Sequence, residues 1–281
     1  MAACWKLGER PNLNIRQRAL AEADERLALK AEVEVANALA SLGLSDNTIE
    51  KASDIHSHLV ANCPTSRGKK ISLKEREAFK TPQYTLVYGE VHFKTYALTF
   101  EVIRHKYGGL QKGSGGIFVD LGSGTGKAVF GAFLMHEFDK VVGIELLNGL
   151  HNVSLELSSR LDDMKNKKDI KYDHRLLNKN TAIEFLCDDI LEVDWWKDAD
   201  LVFANSTCFS HELMKQISEK AGLMKPGAFF ITFTRKIDNS HWKLLEETRH
   251  IMSWGEVTVF IQQRKFEDTE EGQSETDRRL S

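Results

Sequence analysis

The residues best suited to chemistry lie between positions 117 and 145. Ile117 to Gly126 reads IFVDLGSGTG, an apolar run, an aspartate and then glycines at 122, 124 and 126 ahead of a helix-like stretch. The apolar run has the pattern of a parallel strand buried on both faces. Its glycines let the backbone turn sharply and approach a ligand with no side chain in the way. Asp120 stands at the strand's carboxyl end, where open α/β sheets bind ligands. A second apolar segment, VVGIE, ends in Glu145, and an acid there is the usual reader of ribose hydroxyls. The glycine spacing is GxGxG, whereas a dinucleotide site uses GxGxxG and aims helix amides at a pyrophosphate. An acid just before the turn favours a ligand that carries an amine and a sulfonium, and S-adenosylmethionine has both.

More polar groups fall at strand ends further along the chain. AIEFLCDDIL ends in Asp188 and Asp189. Asp189 is placed to accept a hydrogen bond from an adenine amino group and Ile190 to cover the ring, although either aspartate also suits a helix cap ahead of LEVDWW. DADLVFANSTCF is a fourth strand tipped by Asn205, Ser206 and Thr207. Upstream of all of these, VYGE places Tyr88 and Glu90 around Gly89 just before a helix, where a loop can fold over a cofactor.

These residues need a scaffold of alternating strands and helices. Helices are expected over 93–107, 127–138, 148–165 and 211–224, with strands at 117–121, 141–145, 182–191, 198–209 and 228–234. WKLLEETRHI and GEVTVFIQQR add a final antiparallel-looking pair. The pattern is a doubly wound, Rossmann-like α/β sheet with one end modified. Ahead of it, Leu20, Leu27, Ala31, Val35, Ala38 and Leu42 repeat at helical spacing up to Gly43. Asn47 with Glu50 resembles a capping box for a second helix face, Ile49, Ala52, Ile55, Leu59 and Cys63. Ser72 with Glu75 opens a third helix that Pro82 ends. Arg67, Lys69 and Lys70 are read as a solvated loop, and residues 165–180 as a long polar one. The division expected is a helical N-terminal region over 1–83, a cofactor-binding domain over 84–265 and a disordered acidic tail over 266–281. The N-terminal helices serve as a lid or packing layer, or contribute to substrate binding.

Bulk properties narrow the class. The chain has 281 residues, 42% hydrophobic and 28% charged, with a formal net charge of −3. That is enough apolar content for a sizeable core. No run of about 18 apolar residues exists to span a membrane, and the first residues lack a signal peptide's apolar core. Four cysteines at 4, 63, 187 and 208 form no CxxC pair, which suits a reducing compartment and gives no metal spacing. His56 and His58 are two apart on a helix and point to different faces. A slightly acidic chain offers no broad basic face for gripping DNA phosphates.

Several separated segments, in order, resemble one family. VYGE with Phe93, FVDLGSGTGK, GIE, DDIL, FANSTCF, LMKPGAFFITF and SWGEVTVFI are similar to the disruptor-of-telomeric-silencing (Dot-one) methyltransferases, histone lysine methyltransferases without a SET domain. VYGE ahead of the glycine turn is the most discriminating part, because class I methyltransferases in general lack it. The resemblance implies the seven-stranded class I methyltransferase fold, S-adenosyl-L-methionine as methyl donor with S-adenosyl-L-homocysteine as product, and a lysine of the folded nucleosome core as acceptor. It implies a nuclear protein; without it, the cytoplasm is the default. Position by position, Tyr88 and Glu90 would close on the donor's methionine end, with Tyr88 walling the lysine channel. Asp120, Gly122, Gly124 and Gly126 would form the turn beneath, followed by Lys127. Glu145 would bind ribose, Asp189 and Ile190 adenine, and Asn205 would stand beside the methyl group as the orienting residue. Three positions depart from the family's pattern. Its paired asparagines read Asn205-Ser206, its glutamine after the turn is Lys127, and a tyrosine of the last strand is Val259. Other readings are a methyltransferase for a non-histone protein or a nucleic-acid base, and a non-catalytic cofactor-binding module. NSTCF lacks the prolines of the (D/N)PP(Y/F) signature found in base-directed enzymes. An NAD-dependent oxidoreductase fits neither GxGxG nor VYGE.

Overall fold

A computed structural model describes residues 15–45, 47–78, 86–167, 172–177, 179–252 and 255–266. The expected stop at Pro82 and the tail from Glu267 lie outside these residues, as do the side chains of Leu20 and Asn47. Three helices, α1 (Ile15–Ser41), α2 (Asn47–Leu59) and α3 (Thr65–Arg76), precede α4 (Phe93–Tyr107). There follow β1 (Ile117–Leu121), α5 (Lys127–Met135), β2 (Lys140–Glu145), α6 (Asn148–Asn166), α7 (His174–Leu177), β3 (Ala182–Cys187), β4 (Leu201–Ala204), α8 (His211–Ala221) and β5 (Phe229–Phe233). The chain closes on β6 (Trp242–Met252) and β7 (Gly255–Arg264).

The strands form one sheet in the order β3-β2-β1-β4-β5-β7-β6. The first five run parallel, and β7 pairs antiparallel with both β5 and β6. This is the seven-stranded class I methyltransferase sheet, with the reversed hairpin at the edge where the sequence places it. Every parallel crossover returns to the same edge, so the carboxyl ends of β1, β2, β3, β4 and β5 gather along one side, and the order reverses between β1 and β4. Ligands bind at such a switch point.

Both faces of the sheet are covered. Phe118, Phe203, Ile231 and Phe233 pack against the helices α2, α4, α5 and α6, and Val35 and Leu39 of α1 join the same core. Val119, Leu121, Val202 and Phe230 point to the other face, toward α8 and Trp195. The strands therefore read as continuous apolar runs. Helices α1 and α2 share this core with the sheet.

Two sequence expectations fail in α3. The helix begins at Thr65, after Pro64, so Ser72 is an interior residue and not a cap. Its hydroxyl donates to the Leu86 carbonyl at 2.7 Å. Arg67, Lys69 and Lys70 accordingly lie on a helix. Gly68 gave that stretch a loop-like composition, but it is buried, and a Cβ there would stand 2.3 Å from the Tyr88 ring. Close packing, not a turn, requires glycine at this point. Glu75 accepts from the Gly149 amide at 2.6 Å, placing a carboxylate on the amino end of α6, where the helix dipole favours it. The region 165–180, read as one long polar loop, contains the last turn of α6 and the short α7.

The far end of α5 is capped by cations. Lys179 Nζ donates to the carbonyls of Phe133, Leu134 and His136 at 2.8, 2.9 and 3.2 Å, and Arg104 donates to Met135 at 2.9 Å. Burial pushes the Lys179 ammonium down to about 8, so it is still charged at neutral pH. Lys179→Met will strand carbonyls of a buried helix end and will cost about 2 kcal/mol in chemical denaturation. An unchanged midpoint would mean that water replaces the ammonium.

Candidate functional site

Along the carboxyl edge lies a cavity of about 740 Å³. Ten of the eleven residues singled out from sequence line it: Tyr88, Glu90, Asp120, Gly122, Gly124, Lys127, Glu145, Asp189, Ile190 and Asn205. Gly126 does not. It ends the turn in a left-handed conformation, φ 80°, and a Cβ there would meet Phe185 at 2.6 Å and Ser154 at 3.0 Å. It backs the cavity without lining it.

The turn holds an acidic floor. Asp120 is 2% exposed, and no described residue donates a hydrogen bond to its carboxylate. Burial, reinforced by the charge of Glu145, holds its pKa well above the ordinary carboxylate range. Burial also raises Glu145, although the backbone amides of Leu147, Gly124 and Leu146 oppose the rise. Glu145 accepts from Gly124 N at 2.7 Å and Leu147 N at 2.9 Å. Oε2 thereby ties the end of β2 to the glycine turn and Oε1 to the start of α6, and each oxygen keeps a further lone pair for a ligand. Two buried carboxyl groups on one wall of a cavity favour a cationic guest or hydroxyl and amine donors. A methionine ammonium, a sulfonium and a ribose diol meet that demand, so these residues fit S-adenosylmethionine.

VYGE contributes another part of the lining. The Tyr88 ring lies between α3 and the turn, and a Cβ on Gly124 (φ 56°) would stand 2.6 Å from it. Its hydroxyl donates to Glu90 at 2.5 Å and meets Thr125 Oγ1 at 2.7 Å. Burial first, and then the Glu90 charge, raise the phenol well above its usual pKa, so Tyr88 stays protonated and serves as a donor and a wall. Glu90 also accepts from Lys127 Nζ at 2.7 Å and Thr65 Oγ1 at 2.6 Å. Lys127 completes its own shell on the Cys63 carbonyl at 2.6 Å. Where the family's pattern has glutamine, this chain thus builds an ion pair that fastens the VYGE loop to α5 and α3. Sequence reasoning missed the share of α3: Thr65, Gly68 and Ser72 all hold the loop, and Lys69 lines the cavity. No local motif marks them.

The other strand tips complete the wall. Asp189 Oδ1 accepts from Leu191 N at 2.8 Å, the capping role, while Asp189 and Ile190 both face the cavity. Asn205 Nδ2 donates to the Gly89 carbonyl at 3.2 Å, joining the fourth strand's tip to VYGE. Val259, which stands where the family's pattern has a tyrosine, is buried in the core opposite Phe233 and is absent from the lining. Among the described residues no group of His, Cys, Asp and Glu is placed to hold a metal, and no helix is long and apolar enough to cross a membrane.

His56 sits behind the turn, stacked on Phe93 at 4.5 Å and bonded to the Lys127 carbonyl at 3.0 Å. Burial pushes its pKa down to about 4. At pH 7 the ring is neutral in both folded and unfolded chains. Below about 6.5 the unfolded chain takes up a proton that the folded protein refuses until about 4, so stability falls by about 3 kcal/mol across that window. Urea midpoints between pH 7 and 4.5 should decline less steeply for His56→Gln than for the unaltered protein. Parallel declines would remove His56 as the cause.

A sequence profile of the family described as "Histone methylation protein DOT1" matches residues 69–265. No curated protein matches the chain. Among solved structures, a candidate methylase from Haemophilus influenzae is similar at 17% identity and TM-score 0.43, over 61% of this chain and 99% of that one. A candidate RNA methyltransferase from Pyrococcus horikoshii gives 16% and 0.45, over 72% and 100%. An rRNA methyltransferase from Streptomyces viridochromogenes gives 11% and 0.46, over 62% and 86%.

Proposed function

Since the chain belongs to the DOT1 histone methylation family, a family of S-adenosylmethionine-dependent methyltransferases, we propose that it transfers a methyl group to a histone lysine, most naturally one in the nucleosome core. The observation that carries the reading is that the buried Asp120–Glu145 pair and VYGE line one cavity.

The donor, when bound, supplies a methyl group on a sulfonium that a neutral amine can displace in line. This chain's task is then alignment and delivery. Asp120 and Glu145 bind the donor's cationic and hydroxyl groups. Asp189 and Ile190 take the adenine. Glu90, fixed by Lys127 and Thr65, faces the methionine end, and Asn205 orients the acceptor. A free lysine with pKa about 10.4 is almost wholly protonated at neutral pH. Apolar surroundings and a neighbouring positive charge both lower that value, so the design requires no strong base, and the protonated Tyr88 is not one. The formal charge of −3 puts the histone's own basic character, more than a grip on DNA, behind the encounter.

The test is transfer of tritium from labelled S-adenosylmethionine to nucleosomes, free histones, RNA and a cell extract, each offered separately. Label on a histone lysine is the expected result. Label confined to RNA, or to a non-histone protein, would replace the histone assignment. Failure to bind the donor would leave only a non-catalytic module.

A further inference from the structure

Just past the tip of β5 the backbone is strained where no substrate-binding motif asks for it. Thr234 has φ 75°, a left-handed conformation that is a genuine outlier for a β-branched residue. Such strain persists only where its surroundings over-determine it, and here they do. The Thr234 amide donates to the Thr258 carbonyl at 2.7 Å. The Ser206 hydroxyl reaches both flanking carbonyls, Phe233 at 2.6 Å and Arg235 at 3.1 Å. Ser206 is the residue that departs from the family's paired asparagines, and it is fully buried.

What this strain delivers is a hydroxyl. Thr234 Oγ1 lies 3.0 Å from Thr207 Oγ1, and Thr207 Oγ1 donates to Asn205 Oδ1 at 3.0 Å. A hydroxyl has one proton. Thr207 gives its own to Asn205, so Thr234 must donate to Thr207, and the chain of bonds has a single direction. The other end of the Asn205 amide is fixed as well, because Nδ2 donates to the Gly89 carbonyl at 3.2 Å. Rotating the amide by half a turn would set its oxygen against the Gly89 oxygen and would require both threonine hydroxyls to reverse.

We propose that Thr207 and Thr234 are positioning residues, which lock the Asn205 carboxamide in one orientation so that it presents one N–H and one free lone pair to the cavity. A lone pair placed there accepts from the N–H of an incoming amine, and the N–H discourages a bound ammonium. The proposal rests on the methyltransferase reading of the cavity, and it assigns a role to Thr207 and Thr234, for which the family's pattern gives none.

The test has two arms. In the first, the Asn205 side-chain amide is followed by NMR in protein labelled selectively on asparagine, with no substrate present. Thr207→Val should shift its two proton resonances and speed their exchange with water, and Thr207→Ser should restore both. Unchanged resonances in Thr207→Val overturn the proposal whatever the enzyme methylates. In the second arm, methyl transfer to nucleosomes or free histones is measured alongside donor affinity. Thr207→Val should lower kcat about tenfold, the worth of one oriented hydrogen bond, with donor Kd within twofold of the unaltered protein, and Thr207→Ser should recover most of it. Thr234→Gly should raise Tm by about 2 °C by relieving the strain, yet lower kcat. A kcat unmoved by Thr207→Val, or a loss matched by an equal loss of donor affinity, overturns the positioning role. Absence of transfer by the unaltered protein would count against the functional reading alone, since the first arm decides the positioning by itself.

Discussion

Gly124→Arg will lose S-adenosylmethionine binding, with Kd rising at least about 100-fold, while the protein remains folded. Two features converge at this position. Its φ of 56° is one that L side chains rarely adopt, and the first atom of any side chain would stand 2.6 Å from the Tyr88 ring. That ring cannot retreat, because α3 is packed behind it at Gly68 and its hydroxyl is bonded to Glu90 and Thr125. The arginine chain must therefore enter the cavity, next to the amide that Glu145 uses to fix the turn. Gly113→Arg is the matched control. Its φ is 75° with nothing within 4 Å, so it carries the same kind of backbone penalty, about 1–2 kcal/mol, and the same added charge, without the obstruction. Calorimetric titration of both variants separates the two effects. Affinity lost equally in both would trace to general destabilisation, and affinity retained in Gly124→Arg would place the donor elsewhere.

How far the sequence discloses this molecule depends on whether a residue's partner is near it in the chain. The run IFVDL, the glycines after it and Glu145 are set by local periodicity and turn chemistry, and they stand where the pattern requires. The β6–β7 hairpin is legible for the same reason. The α3 region is not. Thr-Ser-Arg-Gly-Lys-Lys has the composition of a loop, and what makes it helical is docking onto α6 through Glu75 and Arg67 and onto Tyr88 through Gly68. These partners are distant in sequence, and packing overrides a weak local propensity. Lys127 is a related case. Its identity departs from the family's pattern, but only the fold reveals that Glu90 and the Cys63 carbonyl receive it. The left-handed Thr234 has no sequence signal at all, because threonine is among the residues least expected there.

Asn205→Ala will separate catalysis from binding: kcat should fall by about 100-fold or more, the range available to orientation, while donor Kd stays within about threefold. The reason is where its bonds go. Asn205 spends its amide on the Gly89 carbonyl and its oxygen on Thr207, both on the VYGE side and the strand tips. The residues proposed to hold the donor, Asp120 and Glu145, lie on the acidic floor and should keep their geometry in the variant. Equal losses in kcat and affinity, from steady-state kinetics and calorimetry, would sink the assignment of Asn205 to orientation. Asn205→Asp sharpens the point, because it keeps the shape and adds a negative charge beside the acceptor. A carboxylate favours the ammonium form of a neighbouring amine, so the fraction of neutral lysine at a given pH drops and the kcat profile should move to higher pH, with part of the lost rate recovered in alkali. For Asn205→Ala, which leaves no charge, the profile should keep its position and fall at every pH. A shared alkaline shift in both variants would mean that Asn205 tunes the acceptor's proton and does not aim its lone pair.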